Sequence, residues 1–458
     1  MSKGKVYLIG AGPGDPALLT CKAKRLLSEC DVVCYDKLVS AAILASVPDH
    51  VELHQVGYRG YQHCHIDYGM HPDVMQYALA GKTVARLKAG DPCIFGRTTE
   101  ECRELIEHNI AYEIVPGITA ALGAAAYSGF PLTSGGIASA VTFVSGHQHL
   151  KAMESLKELD ESGGTVVLYM GAKKLKQHAE RLIENGRDPA TPVALISNAT
   201  SADHCCITGT LQNIGDRVDM SPQAGPALVV IGEVVSQADE LSWRRHLPLA
   251  GKRFLVCGQY KDSVWLEQSG AEVIRVESLA TRSFMDREEL EFLQIQKELA
   301  FDSLPAFELW WRALIDYNWD LRRFSMPLSS DDQNVVSAMA QKGIIAQPVS
   351  KHAMVLTLKH ERVFDDRVNH YQIGRRDSKP LGYELPEIDW VLIDDTEIAD
   401  SVSQYHQQSL VGAGYVPLSA AAENWLEKNG LQADELEQSR ISHKTEPGLT
   451  EFECADVA

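Results

Sequence analysis

Near the start of the chain, the apolar run Val6–Ile9 leads directly into the glycine-rich segment Gly10–Gly14. Because glycine has no Cβ and tolerates positive φ, such a segment lets the main chain approach a ligand closely at the end of a strand. The helix-opening third glycine of the dinucleotide fingerprint G-x-G-x-x-G is missing, and Asp15-Pro16 predicts a turn into a helix over 18–28. The segment therefore predicts a ligand-binding βα turn of an α/β sheet, without specifying the ligand.

Strand-like and helix-like segments alternate through the first half of the chain, which favours an α/β fold with two lobes. Predicted strands lie at 6–9, 31–35, 51–56, 83–87 and 112–115 in the first lobe, and at 140–145, 165–170, 192–197 and 227–232 in the second. The segment Val115-Pro-Gly117 predicts a hinge between lobes that span about 1–115 and 118–245. We expect Thr119 to cap the helix that follows the hinge.

A second α/β domain is predicted over 250–418. Strand, short helix and strand follow one another between 251 and 276, helices are expected near 310–317 and 335–343, and a strand at 388–393 precedes another helix. The remaining segment, 419–458, is predicted to hold a helix and an acidic, disordered tail. A length of 458 residues agrees with two or three domains.

Composition narrows the classes of function. A net charge of −19 argues against nucleic acids and anionic membranes as partners. No apolar run is long enough to span a membrane, and the start of the chain has no signal-peptide pattern. The ten cysteines have no framework spacing, so we expect free thiols and a cytoplasmic protein.

Four segments of the first half together carry a family resemblance: the opening glycine loop, Arg86–Arg97, Val115–Ala121 and Leu168–Gly171. In content and order they resemble the tetrapyrrole methyltransferase family, with the closest likeness to the uroporphyrinogen-III C-methyltransferases. The resemblance extends over roughly residues 4–245. It implies a two-lobed fold with cofactor and substrate in the cleft between the lobes, S-adenosylmethionine as methyl donor, a tetrapyrrole substrate and a homodimer. The implied reaction is the methylation of uroporphyrinogen III to precorrin-2, on the way to sirohaem or cobalamin.

The resemblance also implies roles for individual residues. The residues implied to line the cofactor site are Pro13, Gly90, Asp91, Ile94, Thr119, Ala120, Met170 and Ala199. Asp91 suits a cofactor hydroxyl or amine, and Gly90 leaves room for close approach, although Gly-Asp-Pro is also an ordinary turn. Without the resemblance, Met170 would be read as a core residue of a buried strand.

Catalytic roles are implied for Asp36, Tyr58, Arg97 and Glu100. Asp36 follows a predicted buried strand and would accept the proton that the pyrrole ring loses, whereas the alternative is a residue that caps a turn. Arg97 and Glu100 match substrate-side residues of the family, and alternatively form a solvated i,i+3 pair. Substrate carboxylates would be bound by Lys37, Arg59, Lys88 and Arg97.

Two departures from the family pattern bear on the substrate. Tyr58 stands where the family has a lysine, and Ser134-Gly135 stands where it has His-Arg. They motivate two alternatives: a methyltransferase for another tetrapyrrole or anionic acceptor, and a non-catalytic tetrapyrrole-binding scaffold. The histidines of Gln62–His71 lack the spacing of a metal site, and we expect no structural metal.

Over about 250–410 the order of elements resembles, weakly, uroporphyrinogen-III synthase. The small, hydroxyl-rich turns of that family are replaced, for example by Ser329–Asp332 and Asp394–Thr396. The resemblance therefore implies a synthase-like domain without activity, with a scaffold, dimerisation or delivery role. The pair Trp310-Trp311 is expected to lie in its core rather than to form a substrate platform.

Overall fold

The computed structural model describes residues 3–57, 69–146, 164–220, 225–260, 263–277, 279, 281–358, 369–376, 378 and 380–434. The chain divides into two compact units, one formed by Met1–Glu277 together with Pro380–Ala458 and the other by Ser278–Lys379. No helix among the described residues is long and apolar enough to cross a membrane.

The elements of the described residues are numbered in chain order. The strands are β1 Lys5–Gly10, β2 Val32–Asp36, β3 Glu52–Gly57, β4 Val84–Lys88, β5 Ala111–Val115, β6 Val141–Ser145, β7 Thr165–Tyr169, β8 Pro192–Ser197, β9 Cys205–Thr210, β10 Ala227–Ile231, β11 Arg253–Cys257, β12 Glu272–Val276, β13 Thr281–Ser283, β14 Leu299–Phe301, β15 Leu328–Ser329, β16 Met354–Thr357, β17 Asn369–Gln372, β18 Gly374–Arg376, β19 Trp390–Ile393 and β20 Gly414–Pro417. The α-helices are α1 Cys21–Glu29, α2 Ala41–Ala45, α3 Pro72–Leu79, α4 Thr98–Glu107, α5 Ala120–Tyr127, α6 Leu175–Glu184, α7 Ile214–Met220, α8 Ala238–Leu241, α9 Val264–Gln268, α10 Arg287–Leu293, α11 Leu304–Asp316, α12 Gln333–Gln341, α13 Thr396–Tyr405 and α14 Ala420–Asn429.

The first sheet is parallel and has the strand order β3-β2-β4-β1-β5. All five strands were predicted. The three central strands, β2, β4 and β1, are buried along most of their length, as expected for parallel strands covered on both faces. Since the strands are parallel, their carboxyl ends, including Gly10, Asp36 and Lys88, meet at one edge of the sheet. In an open α/β sheet this is the edge at which ligands bind.

The helix predicted over 18–28 begins three residues later than expected. Thr20 is its N-cap, and the Thr20 hydroxyl accepts a hydrogen bond from the Ala23 amide, so α1 starts at Cys21. The preceding residues Pro16–Leu18 form a separate 3₁₀ turn, which Asp15 caps by accepting a hydrogen bond from Ala17. The two caps hold the glycine loop in a fixed path between β1 and α1.

The second sheet is mixed, with the order β6-β7-β10-β8-β9. Only β6 and β7 are parallel, and the other neighbours are antiparallel. Helix α5 packs on one face through Ala121, Ala124 and Ala125, in a cluster with Val167, Ile196 and Val230. The strands predicted in this half are confirmed to within one residue.

Further along, the same unit contains a third, parallel sheet with the order β12-β11-β19-β20. Its core is formed by residues such as Phe254, Leu266 and Leu392. The predicted strand–helix–strand segment corresponds to β11, α9 and β12, and the predicted strand and helix near 390 correspond to β19 and α13.

The unit Ser278–Lys379 contains a two-stranded antiparallel pair, β13-β18, and a parallel sheet with the order β15-β14-β16-β17. Its core is aromatic: Trp310 has no exposed surface and lies 5.3 Å, between ring centroids, from Phe301. Trp311 packs, partly buried, against the same cluster. The predicted core position of this tryptophan pair is confirmed.

Candidate active site

Four glycines join the ends of β1, β4 and β5 backbone to backbone. The amide of Gly12 donates to the Gly90 carbonyl at 3.1 Å, and the amide of Gly90 donates to the Gly12 carbonyl at 2.8 Å. A Cβ added at Gly10 would lie 2.5 Å from the amide nitrogen of Gly117. No side chain fits between these segments, so the glycines that the sequence singled out are required by close backbone packing.

Asp91, directly after this contact, binds the loops together. Its carboxylate accepts hydrogen bonds from the amides of Cys93, at 2.8 Å, and Gly117, at 2.9 Å. A carboxylate has about four acceptor positions, so Asp91 keeps capacity for a ligand donor. Ile94 and Ala120, which were predicted to line the same site, are both partly exposed.

The opening loop also contacts the second lobe. The amide of Asp15 donates to the Thr200 hydroxyl at 3.1 Å, and the Tyr127 hydroxyl donates to the Asp15 carboxylate at 2.6 Å. A Cβ added at Gly123 would lie 2.5 Å from Pro13 Cγ, so Pro13 lies directly against α5. These contacts bring the predicted residues Pro13 and Ala199, the neighbour of Thr200, into one region.

Thr119 occupies the N-cap of α5 as predicted, but its hydroxyl makes no capping hydrogen bond. The hydroxyl lies instead 2.7 Å from the hydroxyl of Tyr169, which also accepts from the Ala121 amide at 3.1 Å. Burial raises the pKa of Tyr169, so the phenol stays protonated. Tyr169 thereby links the end of β7, and with it Met170, to the start of α5.

Left-handed backbone conformations concentrate around this site. Among the described residues, seven that are not glycine have positive φ, and five of them lie in site segments. These five are Phe95, Arg97, Met170, Asn198 and Thr200. Such conformations are unfavourable for residues with a Cβ and are often found at ligand sites.

A buried chain of four charges lies beneath the carboxyl ends of β2 and β4. Arg86 Nη2 lies 2.6 Å from Asp36 Oδ1, and Arg86 Nε lies 3.4 Å from Glu101 Oε1. Lys88 Nζ donates to both oxygens of Glu101, at 2.7 and 2.8 Å. Arg86 and Glu101 are each 1% exposed at the side chain, whereas Asp36 is 29% exposed. The two acidic and two basic groups balance in charge, and Asp36 is the member of this group that reaches solvent.

Lys88 therefore lies under the site rather than at its surface. Burial, followed by the nearby Arg86 guanidinium, lowers the pKa of Lys88, and Glu101 offsets part of this effect. By contrast, Arg97 is exposed at the N-terminus of α4, Glu100 is partly exposed in its first turn, and Lys37 is exposed after β2.

Glu101 was not singled out from the sequence. A signal was present: on α4 it lies four residues before the buried Leu105 and next to the buried Cys102, hence on the face toward the sheet. A carboxylate on a core-facing position of a helix needs a buried cation, and the buried strand β4 carries two.

The predicted residues Tyr58 and Arg59, and the histidines at 63 and 65, lie outside the described residues.

Comparison with known proteins shows the family to which the chain belongs. Residues 5–215, which contain every candidate site residue, match the family of Tetrapyrrole (Corrin/Porphyrin) Methylases. A uroporphyrinogen-III C-methyltransferase of Bacillus subtilis is 33% identical over 400 residues, covering 81% of this chain and 82% of that protein. The chain belongs to the tetrapyrrole methylase family.

Two further relatives each match about half of the chain. The S-adenosyl-L-methionine-dependent uroporphyrinogen III methyltransferase of Methanosarcina barkeri is 43% identical, over 53% of this chain and 96% of that protein. A siroheme synthase of Acinetobacter baylyi is 46% identical over 53% of each chain, so the present chain spans about half the length of that relative. A solved uroporphyrin III C-methyl transferase from Thermus thermophilus is 36% identical, covers 51% of this chain and 99% of that one, and has a TM-score of 0.42.

The site combines exposed apolar and aromatic surface with a carboxylate. Met170 and Phe95 are 46% and 44% exposed, and the Phe95 ring lies 5.1 Å from the Tyr169 ring, so an exposed apolar surface is held at the site. Asp91 adds an acceptor beside it. Apolar and aromatic surface with a few fixed polar groups is the usual composition of a small-molecule site.

Proposed function

We propose that this methylase transfers methyl groups from S-adenosylmethionine to carbon atoms of uroporphyrinogen III, giving precorrin-2 for sirohaem or cobalamin-type tetrapyrroles. The observation that carries the proposal is the match to the Methanosarcina methyltransferase over nearly all of that protein. The two-lobed arrangement of the glycine loop, Asp91, α5 and Met170 supports it from the geometry.

The residues proposed to hold S-adenosylmethionine are Pro13, Gly90, Asp91, Ile94, Thr119, Ala120, Met170 and Ala199. When bound, this molecule supplies a methyl group already activated on a sulfonium. The chain contributes position and exclusion of water, since its loops are fixed both by backbone hydrogen bonds and by the Asp91 carboxylate.

Asp36 is proposed to accept the proton. Methyl transfer would form a bond from the pyrrole carbon to the methyl group and break the methyl–sulfur bond, with S-adenosylhomocysteine as the leaving group. The ring would then lose one proton, which the Asp36 carboxylate can take. Arg86 holds that carboxylate at 2.6 Å and keeps it oriented, while its partial exposure leaves it accessible. We propose that Tyr58 and Glu100 complete the catalytic set.

The substrate is a polyanion, whereas the chain has a net charge of −19, so binding requires local positive charge. Arg97 and Lys37 are exposed and can meet substrate carboxylates. Arg59 and Lys88 belong to the same proposed set, although Lys88 is buried and paired with Glu101.

A direct test is anaerobic incubation of purified protein with S-adenosylmethionine and uroporphyrinogen III, followed by absorbance and mass measurement. The proposal expects a product carrying two added methyl groups. Binding of S-adenosylhomocysteine without any methylated product would reject uroporphyrinogen III as the substrate.

A second candidate is a methyltransferase for another tetrapyrrole or anionic acceptor. It is favoured by Gly135, where the family has an arginine. An added Cβ at Gly135 meets no atom within 4 Å, so nothing in the fold around this position requires a glycine. Methylation of a second tetrapyrrole with a kcat/KM well above that for uroporphyrinogen III would favour this candidate. A scaffold without turnover would bind both ligands and release no S-adenosylhomocysteine.

For the rest of the chain, we propose a methyltransferase domain over 1–245, a uroporphyrinogen-III synthase-like domain without activity over 250–418, and a terminal helix and tail over 419–458. Two separate four-stranded parallel sheets support the synthase-like assignment. A cytoplasmic homodimer is proposed on the family resemblance, and the free state of the described cysteines supports a reducing compartment.

A further inference from the structure

The segment Pro380–Leu385, here named the strap, lies on the first lobe beside Asp36. The hydroxyl of Tyr35 donates to the Gly382 carbonyl at 2.6 Å. A Cβ added at Gly382 would lie 2.9 Å from Leu53 Cβ, and the Tyr383 ring packs on the core between the first sheet and α1. The strap, which belongs to the second half of the chain, therefore fixes the carboxyl end of β2.

Exposed charge adds little to this contact. Lys37 Nζ and the Glu384 carboxylate are 4.0 Å apart, and Glu384 is 88% exposed at its side chain. Exposed pairs of this kind contribute little to stability. The buried hydrogen bond and the Tyr383 ring are the contacts that hold the strap.

A second contact from the third sheet reaches the loop after β8. Arg253 Nη2 lies 2.6 Å from Asp203 Oδ2, and Glu272 accepts a hydrogen bond from the Ala202 amide at 2.8 Å. Arg253 and Glu272 also pair with each other at 2.9 Å, with side chains 6% and 9% exposed. Burial and their mutual ion pair therefore fix the Arg253 and Glu272 side chains independently of the loop that they bind.

That loop carries Ala199 and Thr200, and the Thr200 hydroxyl accepts from the Asp15 amide of the glycine loop. A hydrogen-bonded path thus runs from β11 and β12 to the proposed cofactor side of the site. The strap reaches the proposed base side, one residue before Asp36.

We infer that the second half of this chain positions both sides of the methyltransferase site: Arg253 and Glu272 hold the cofactor loop through Asp203 and Ala202, and the strap holds Asp36 through Tyr35. The assignment of one side to the cofactor and the other to the base rests on the proposed function. It makes the C-terminal sheet an integral part of the methyltransferase rather than a separate module. The residues named act through others and do not touch the reacting atoms.

The cofactor side is tested with Asp203→Asn in the full chain. This substitution removes the charge that meets Arg253 and leaves the buried Arg253–Glu272 pair intact. The matched control is Asp216→Asn, which breaks the exposed pair with Lys176 in the same lobe. We expect the Kd for S-adenosylhomocysteine, measured by calorimetry, to rise at least about fivefold in Asp203→Asn, a typical size for coupling between sites. Asp216→Asn should leave the Kd unchanged.

The base side is tested with Tyr35→Phe, which removes only the hydroxyl that binds Gly382. The matched control, Tyr77→Phe, removes a hydroxyl that binds Glu52 on the same lobe. We expect Tyr35→Phe to lower kcat for uroporphyrinogen III severalfold while its Kd for S-adenosylhomocysteine stays within twofold of the parent. A purely structural role would lower the Tm of Tyr35→Phe and leave the kcat of the folded enzyme unchanged.

The outcomes separate this inference from the proposed function. A parent protein that binds S-adenosylhomocysteine but does not methylate uroporphyrinogen III rejects the proposed substrate, and the Kd comparison still decides the positioning of the cofactor loop. An unchanged Kd in Asp203→Asn overturns that positioning whatever the substrate is. If Asp203→Asn does not fold, Glu272→Gln takes its place with the same expectation, because it weakens the Ala202 contact and keeps the side-chain shape.

Discussion

Arg86 on β4 binds Asp36 on the neighbouring strand β2 through a 2.6 Å ion pair, although Arg86 itself has almost no exposed surface. The guanidinium is thus buried in the protein, whereas the carboxylate is partly exposed to solvent at the edge of the sheet. This relationship gives Asp36 a fixed orientation before any ligand binds, which is what a proton acceptor in a preorganised site requires.

Replacement of Asp36 by Asn should leave cofactor binding intact and slow turnover by about 10²-fold or more, the usual contribution of a positioned base. The measurement is kcat for methyl transfer together with the Kd for S-adenosylhomocysteine. Glu29→Gln, which alters an exposed carboxylate on α1, is the control. Turnover equal to the parent's would exclude Asp36 as the base.

Replacement of Arg86 by Met should destabilise the protein by about 3–5 kcal/mol, because Asp36 and the buried Glu101 both lose a partner. Urea unfolding of the variant measures the free energy directly. Arg25→Met, which removes a cation from the exposed i,i+4 pair with Glu29, should change it by less than about 1 kcal/mol. A small effect of Arg86→Met would mean that the two carboxylates find other partners.

Gly10→Ala should be poorly tolerated, because its Cβ would lie 2.5 Å from the Gly117 backbone. Since backbone atoms cannot move aside as a flexible side chain can, we expect a loss of stability of about 1–3 kcal/mol and a weaker affinity for S-adenosylhomocysteine. The control is Gly135→Ala, whose Cβ enters open space. Thermal unfolding and calorimetry compare the two variants. Equal effects would contradict the close packing of the four glycines.

Local patterns were sufficient to locate the first sheet, whose strands begin and end within one residue of the predicted positions. Because side chains alternate between the two faces of a strand, the sequence also places Arg86 and Lys88 of β4 on the same face. Their partner Glu101 could not be identified in that way, since it belongs to α4 and the pairing depends on how the helix packs on the sheet. The contacts of Asp15 with Tyr127 and of Tyr35 with Gly382 join residues 112 and 347 positions apart. Nothing in the local sequence reports such distant neighbours.

Acid should destabilise this protein in part through His204. Burial, and after it the nearby Arg244 guanidinium, lowers the pKa of His204 to about 4, against an ordinary value of 6.5. Between these values the unfolded chain binds more protons at this residue than the folded protein does, so stability falls as the pH drops from about 6.5 to about 4. Removal of the titrating ring in His204→Gln should therefore flatten the pH dependence in that window, by an amount on the order of a few kcal/mol at pH 4. Urea unfolding of both proteins at pH 7, 6, 5 and 4 measures the difference. Parallel curves for parent and variant would show that the His204 ring takes up its proton equally well in the folded state.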